Sequence, residues 1–299
     1  MKRQTRTGRS VMIFGFLVLM AWGPTIPLVC GETPAASKRV DPADAQVKKG
    51  MILYGKGDVN GALTTFNKAL ELNPNHAIAY TNRGLIRYKQ GDIDGAFADH
   101  TKAIELDPTL AEAYTNRGGA RFVKGDLDGA IVDHTKALEI NPKLASALSN
   151  RGLVNLRKRD LTNALADLDQ ALKLNPFDAE AYTNRAAVQL QRKYLNETVM
   201  DATKAIYLNG RLAEAYNVRG AAFYRGEMPQ KGLEDFNKAI ELNPRLALAY
   251  INRGIIRVEQ KEFDKGIQDF KKGTELIPDL QVIAQPWMDK AEKEKAKSR

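Results

Sequence analysis

Small and apolar side chains return along this chain with a period of 34 residues, and each period is built of two helix-length segments separated by turn residues. With Pro74 taken as position 32 of its unit, the units start at Ala43, Ala77, Ala111, Ala145, Ala179, Ala213 and Ala247. Position 8 is then small throughout: Gly50, Gly84, Gly118, Gly152, Ala186, Gly220 and Gly254. Position 20 is also small (Ala62, Ala96, Ala130, Ala164, Thr198, Gly232, Gly266), as is position 27 (Ala69, Ala103, Ala137, Ala171, Ala205, Ala239, Gly273). Position 30 is aliphatic from Leu72 to Leu276. Small residues let the two helices of a hairpin approach closely. The pattern therefore predicts seven helical hairpins, at 43–76, 77–110, 111–144, 145–178, 179–212, 213–246 and 247–280.

The punctuation agrees. Gly57-Asp58, Gly91-Asp92 and Gly125-Asp126 put a turn glycine before an aspartate able to cap the second helix. Asn73-Pro74, Asp107-Pro108, Asn141-Pro142, Asn175-Pro176 and Asn243-Pro244 end second helices, because the residue before a proline is driven out of the helical region. Gly210 stands where the fifth unit should carry proline, so that junction is expected to bend more freely.

The word Ala-Tyr-Thr-Asn-Arg-Gly at Ala79 and Ala113, with Ala-Tyr-Thr-Asn-Arg-Ala at Ala181, falls on the same register. Together these markers make 43–280 resemble the tetratricopeptide-repeat family. The resemblance implies an all-α, right-handed α-solenoid of helix-turn-helix hairpins whose first helices line a concave groove. It also implies a non-enzymatic scaffold that binds a protein or peptide in that groove.

Two sets of recurring polar residues are candidates for more than packing. Position 7 is Arg83, Arg117, Arg151, Arg185, Arg219 and Arg253, and position 23 is Asp99, Asp133, Asp167, Asp201, Asp235 and Asp269. The first unit has Lys49 and Thr65 instead, so arginine and aspartate come and go together. They are read as structural ion pairs that fix register more than they add stability. Position 6 holds Asn82, Asn116, Asn150, Asn184 and Asn252, interrupted by Val218 with Asn217 displaced by one. A carboxamide both donates and accepts hydrogen bonds, so a ladder of them in the groove could grip an extended peptide backbone. The competing reading is that duplicated units share Asn by descent and use it inside the hairpin. Thr81, Thr115, Ser149 and Thr183 at position 5, with Leu85, Gly119, Leu153 and Ala187 at position 9, predict a small-residue, uncharged surround. The lysines of a carboxylate clamp are absent, and Glu112, Glu180 and Glu214 at position 2 add negative charge.

Catalytic chemistry finds little support. His100 and His134 share position 24 with Phe66, Leu168, Phe236 and Phe270, which marks a packing site, and His76 lies in a loop. Equivalent helices two layers apart stand roughly 16–20 Å from each other, too far to share a metal. No phosphate loop, dinucleotide fingerprint, nucleophile elbow or HExxH motif occurs, and no cofactor is expected. The net charge of +9 shrinks to +5 once residues 1–31 are set aside, and that excess is scattered. Nucleic acid is accordingly not an expected partner, with an RNA-binding helical repeat as the remote alternative. A homo-oligomer without external ligand is the other alternative.

Lys2, Arg3, Arg6 and Arg9 precede an uncharged run from Val11 to Cys30, read as a secretory signal peptide over 1–31. The expected location is therefore the bacterial periplasm or cell envelope. Retention of residues 11–30 as an inner-membrane anchor is the alternative, and the only membrane contact expected. Cys30 is the single cysteine, so no internal disulfide can form, and its position before Gly31 makes it a candidate lipidation site. Residues 32–42 read as a polar linker, and 281–299 as a degenerate capping helix with a charged tail.

Overall fold

A computed structural model describes residues 41–297, all of whose regular elements are helices. Residues 1–31, read above as a signal peptide, with Cys30 among them, and most of the 32–42 stretch lie outside the described residues. Helices pair in chain order: α1 (Pro42–Gly55) with α2 (Val59–Leu72), α3 (Ala77–Lys89) with α4 (Ile93–Leu106), α5 (Ala111–Val123) with α6 (Leu127–Ile140), and α7 (Ala145–Arg157) with α8 (Leu161–Leu174). These belong to one compact unit, 41–175. The second unit, 176–297, pairs α9 (Ala179–Gln191) with α10 (Leu195–Leu208), α11 (Ala213–Arg225) with α12 (Pro229–Leu242), and α13 (Ala247–Glu259) with α14 (Phe263–Leu276). A short 3-10 turn, Pro278–Leu280, leads into α15 (Gln281–Lys297).

Each hairpin closes on one complementary contact. In the first, a Cβ at Gly50 would stand 2.6 Å from Cε1 of Phe66, so only glycine admits the ring. The same fit joins Gly152 to Leu168, Gly220 to Phe236 and Gly254 to Phe270. The fifth hairpin inverts it: Ala186 replaces the glycine and Ala202 the large partner, and both are fully buried. Bulk at position 24 is thus traded against bulk at position 8. Each buried Phe contributes on the order of 1.5–3 kcal/mol. Around these contacts runs a lining of alanine, Ala62, Ala69, Ala96, Ala103, Ala130 and Ala137 among them, each without exposed surface. Successive hairpins therefore lie close. In the second unit the stack ends on α15, whose Ala284, Met288 and Ala291 complete a cluster with Leu248, Ile251, Ile255 and Phe270.

The turns follow from local chemistry. Gly57, Gly91 and Gly125 take φ of +83°, +86° and +82°, and the next aspartate accepts from the backbone three residues on, as Asp92 does from the Gly95 N–H at 2.9 Å. In the last four hairpins the same left-handed position is filled by Arg159, Lys193, Glu227 and Lys261, with φ of 63–66°. Side chains there cost about 1 kcal/mol relative to glycine. At the other end, Asn209 keeps the extended geometry of its counterparts, φ −144° and ψ 92°, and accepts from the Arg211 N–H at 3.1 Å. The turn at Gly210 thus has the same form as those with proline.

Candidate functional site

Every position-7 arginine meets the aspartate sixteen residues on through two parallel hydrogen bonds. Arg83 donates Nε to Asp99 Oδ2 at 2.8 Å and Nη2 to Oδ1 at 2.7 Å. The pairs Arg117–Asp133, Arg151–Asp167, Arg185–Asp201, Arg219–Asp235 and Arg253–Asp269 repeat the fork at 2.7–2.9 Å. Such planar, bidentate geometry is what guanidinium and carboxylate favour. Bonding to Asp99 and Asp235 raises the pKa of Arg83 and Arg219 above the usual arginine value, against the opposing effect of burial.

The remaining nitrogen often reaches the preceding hairpin. Arg83 Nη1 donates to Asn67 Oδ1 at 3.0 Å, Arg151 Nη1 to Thr135 Oγ1 at 3.2 Å, Arg219 Nη1 to Thr203 Oγ1 at 3.3 Å and Arg253 Nη1 to Asn237 Oδ1 at 2.8 Å. One side chain thus ties two helices of its own hairpin to the hairpin before it. In the first unit Lys49 replaces the arginine, and Thr65, in the aspartate's place, turns its hydroxyl to the Gly61 carbonyl at 2.6 Å. The guanidinium face is used as well, lying 5.2–5.6 Å from the ring centroids of Tyr80, Tyr114, Tyr182, Tyr216 and Tyr250.

A second cation that periodicity does not reveal joins the network. Arg87 and Arg257 place Nη1 at 3.0 and 2.8 Å from Oδ2 of Asp99 and Asp269, Arg121 places Nε 3.3 Å from Asp133, and Asn155 donates to Asp167 at 3.3 Å. These residues share position 11, where the fifth and sixth hairpins carry Gln189 and Phe223. The aspartates are the most closed members, with side chains 2–10% exposed.

The position-6 asparagines differ from the expected open ladder. Asn82, Asn116 and Asn150 are 0–2% exposed in the first unit, and Asn184 and Asn252 are 4% and 3% exposed in the second. Their neighbours close over them: Leu85, Gly119, Leu153 and Ala187 are buried, and Thr81, Thr115 and Thr183 turn their hydroxyls to the carbonyl four residues back at 2.8–3.1 Å. The cause is the small-residue lining, which lets first helices stack too tightly to leave an open channel there. Asn217, displaced by one from the row, accepts from Asn252 Nδ2 at 3.0 Å, while Val218 is buried in the ladder's place. These carboxamides are interior groups, closed to an extended partner.

His100 and His134 are fully buried, and none of their four ring nitrogens has a hydrogen-bond partner. Burial pushes both pKa values down to about 3, with the charges of Arg117 and Arg151 acting in the same direction. They act as flat apolar rings against Gly84 and Gly118. His76, in the loop before α3, is bonded: Nε2 pairs with Asp44 Oδ1 at 2.9 Å and Nδ1 accepts from the Ala79 N–H at 3.3 Å, capping α3. Among the described residues no group of three or more His, Cys, Asp or Glu is arranged to hold a metal, and no helix is long and apolar enough to cross a membrane.

Comparison with known proteins gives one consistent picture. Residues 50–91 and 84–125 match the family model described as TPR repeat, and residues 149–195 the one described as tetratricopeptide repeat. Among curated proteins no significant match is found. Solved structures with the same fold include a tetratricopeptide repeat protein from Parabacteroides merdae, 22% identical with a TM-score of 0.62, covering 84% of this chain and 98% of that one. The anaphase-promoting-complex assembly Cut9-Hcn1 aligns with a TM-score of 0.74 at 16% identity over 83% of this chain, which spans 49% of that one. PilF of Pseudomonas aeruginosa aligns with a TM-score of 0.58 at 19% identity, over 68% of this chain and 92% of that one. With tandem hairpins of 34 residues, matched repeat models and neighbours of the same architecture, the chain belongs to the tetratricopeptide-repeat family as an array of seven repeats.

Proposed function

We propose that the chain is a non-enzymatic scaffold that presents a helical-repeat surface to a protein or peptide partner, and that it works in the bacterial cell envelope. One observation carries the binding role. The recurring polar side chains are engaged inside the array, whereas outward positions change from hairpin to hairpin. Position 22, exposed in every hairpin, runs Thr64, Ala98, Val132, Ala166, Met200, Glu234, Gln268. A constant interior beneath a varied exterior is what a recognition surface on a repeat scaffold requires. The asparagines are not assigned to the contact surface, because their closure leaves a partner nothing to grip. The envelope location is supported by the basic and then uncharged residues 1–31.

The test is crosslinking of the tagged full-length chain in its own host, followed by sedimentation and membrane fractionation. A single partner protein recovered in fixed ratio from the envelope fraction supports the reading. A large homo-oligomer without other protein overturns the scaffold role, and recovery in the cytosolic fraction overturns the location.

A further inference from the structure

The outward stripe of each second helix is formed by positions 18, 22, 25 and 29. In α12 it reads Gln230, Glu234, Asn237, Glu241, and in α14 Asp264, Gln268, Lys271, Glu275. Position 29 is glutamate in the first, second, third, sixth and seventh hairpins, and in the last four of these it pairs with the lysine three residues before it: Lys102–Glu105, Lys136–Glu139, Lys238–Glu241 and Lys272–Glu275 lie 2.6–3.1 Å apart. The α10 stripe departs from all others. It reads Asn196, Met200, Thr203, Tyr207, without a charge. Lys204 is retained, but in place of a carboxylate it faces the Tyr207 ring, 5.2 Å from the centroid.

The departure leaves an exposed apolar surface. Tyr207 is 80% exposed and Met200 70%, two turns apart on one face of α10. Because α9 and α10 run antiparallel, Phe177, just ahead of α9, stands at the same end of the hairpin as Tyr207 and is 77% exposed. Exposed large apolar side chains grouped within a few turns mark interaction sites. The charge at that end is basic: Arg211 is exposed and Lys204 half-buried, while Asp178 and Glu180 are half-buried, Asp201 is buried, and the exposed Glu197 lies in the first turn of α10, at the other end. The complementary occupant is acidic.

Resting on the scaffold reading, we propose that this end of the fifth hairpin docks an acidic protein segment bearing an aliphatic or aromatic anchor. The anchor lies against Met200 and Tyr207, and its carboxylates face Lys204 and Arg211. Tyrosine and arginine are favoured at such contacts, since a large rigid ring or planar guanidinium loses little freedom on binding.

Selection of a displayed random-peptide library on the full-length chain tests this. Expected are peptides rich in Asp and Glu around an apolar residue, whose affinity falls at least about tenfold with Tyr207→Glu or Met200→Glu and with Lys204→Glu. Glutamate occurs at these helix positions as Glu241 and Glu234, so the first two variants should keep the parent helicity by circular dichroism. Acidic peptides that bind Tyr207→Glu as tightly as the parent overturn the docking site while leaving the scaffold reading intact. Selected peptides without acidic enrichment, or none at all, overturn the proposal, and the crosslinking experiment then decides the scaffold role separately. Self-association abolished by Tyr207→Glu, or binding to vesicles of anionic phosphatidylglycerol abolished by it, would reassign the surface to a second copy or to lipid and overturn the peptide assignment.

Discussion

His100 packs its ring edge-on into the space that a side chain at Gly84 would fill, with Cε1 2.6 Å from the place of a Cβ. The fifth hairpin solves the same contact with Ala186 and Ala202. Gly84→Ala should therefore destabilise the protein by about 1–3 kcal/mol despite alanine's better helix propensity. Combined with His100→Ala, it should recover part of that loss by copying the fifth hairpin. A double-mutant cycle in urea measures the coupling; strictly additive losses would show that the two positions do not compete for one space.

The same histidines set an acid limit. Their folded pKa of about 3 lies below the unfolded value, so the unfolded chain takes up the protons and the stability they contribute is full above about pH 6.5. It is lost as pH falls from there towards 3, at about 1.4 kcal/mol per pH unit for each histidine. Replacing both with phenylalanine, the residue of three other hairpins, should flatten that part of the stability profile. Denaturant midpoints from pH 7 to 4 provide the measurement, and an unchanged slope would count against it.

The ion pairs should behave asymmetrically. Asp235→Ala leaves the guanidinium of Arg219 without its buried partner and should cost about 3–5 kcal/mol. Arg219→Met with Asp235→Leu removes both charges and should cost far less, because no charge is stranded. Thermal unfolding of the single and double variants distinguishes the two.

Four turns carry an avoidable strain. Arg159→Gly, Lys193→Gly, Glu227→Gly and Lys261→Gly each relieve a left-handed residue at the position held by Gly57 in the first hairpin, and each should gain about 1 kcal/mol. A lower urea midpoint in any of them would show that the side chain makes a compensating contact.

Much of the fold was legible because it repeats. The glycine at position 8 and its partner at position 24 sit in fixed register, as do the arginine and aspartate of each pair, so periodicity alone brought them onto facing helices. What was not legible varies between units. The second partner of the aspartates changes from Arg87 to Asn155, and the sixth hairpin has Phe223, which cannot donate, at that position. The asparagine row was legible as a row, but its closure depends on how tightly first helices stack, a property of the alanines around it. The Met200–Tyr207 surface leaves no periodic mark in the sequence, because its signal is a failure to recur.

Arg83, Arg151, Arg219 and Arg253 each hold their own hairpin and the one before it, and the first hairpin alone omits the arginine. Four of the six arginine-bearing hairpins are stitched to their predecessor in this way, through an asparagine or a threonine. A mutation at one of these four arginines therefore loosens two hairpins at once.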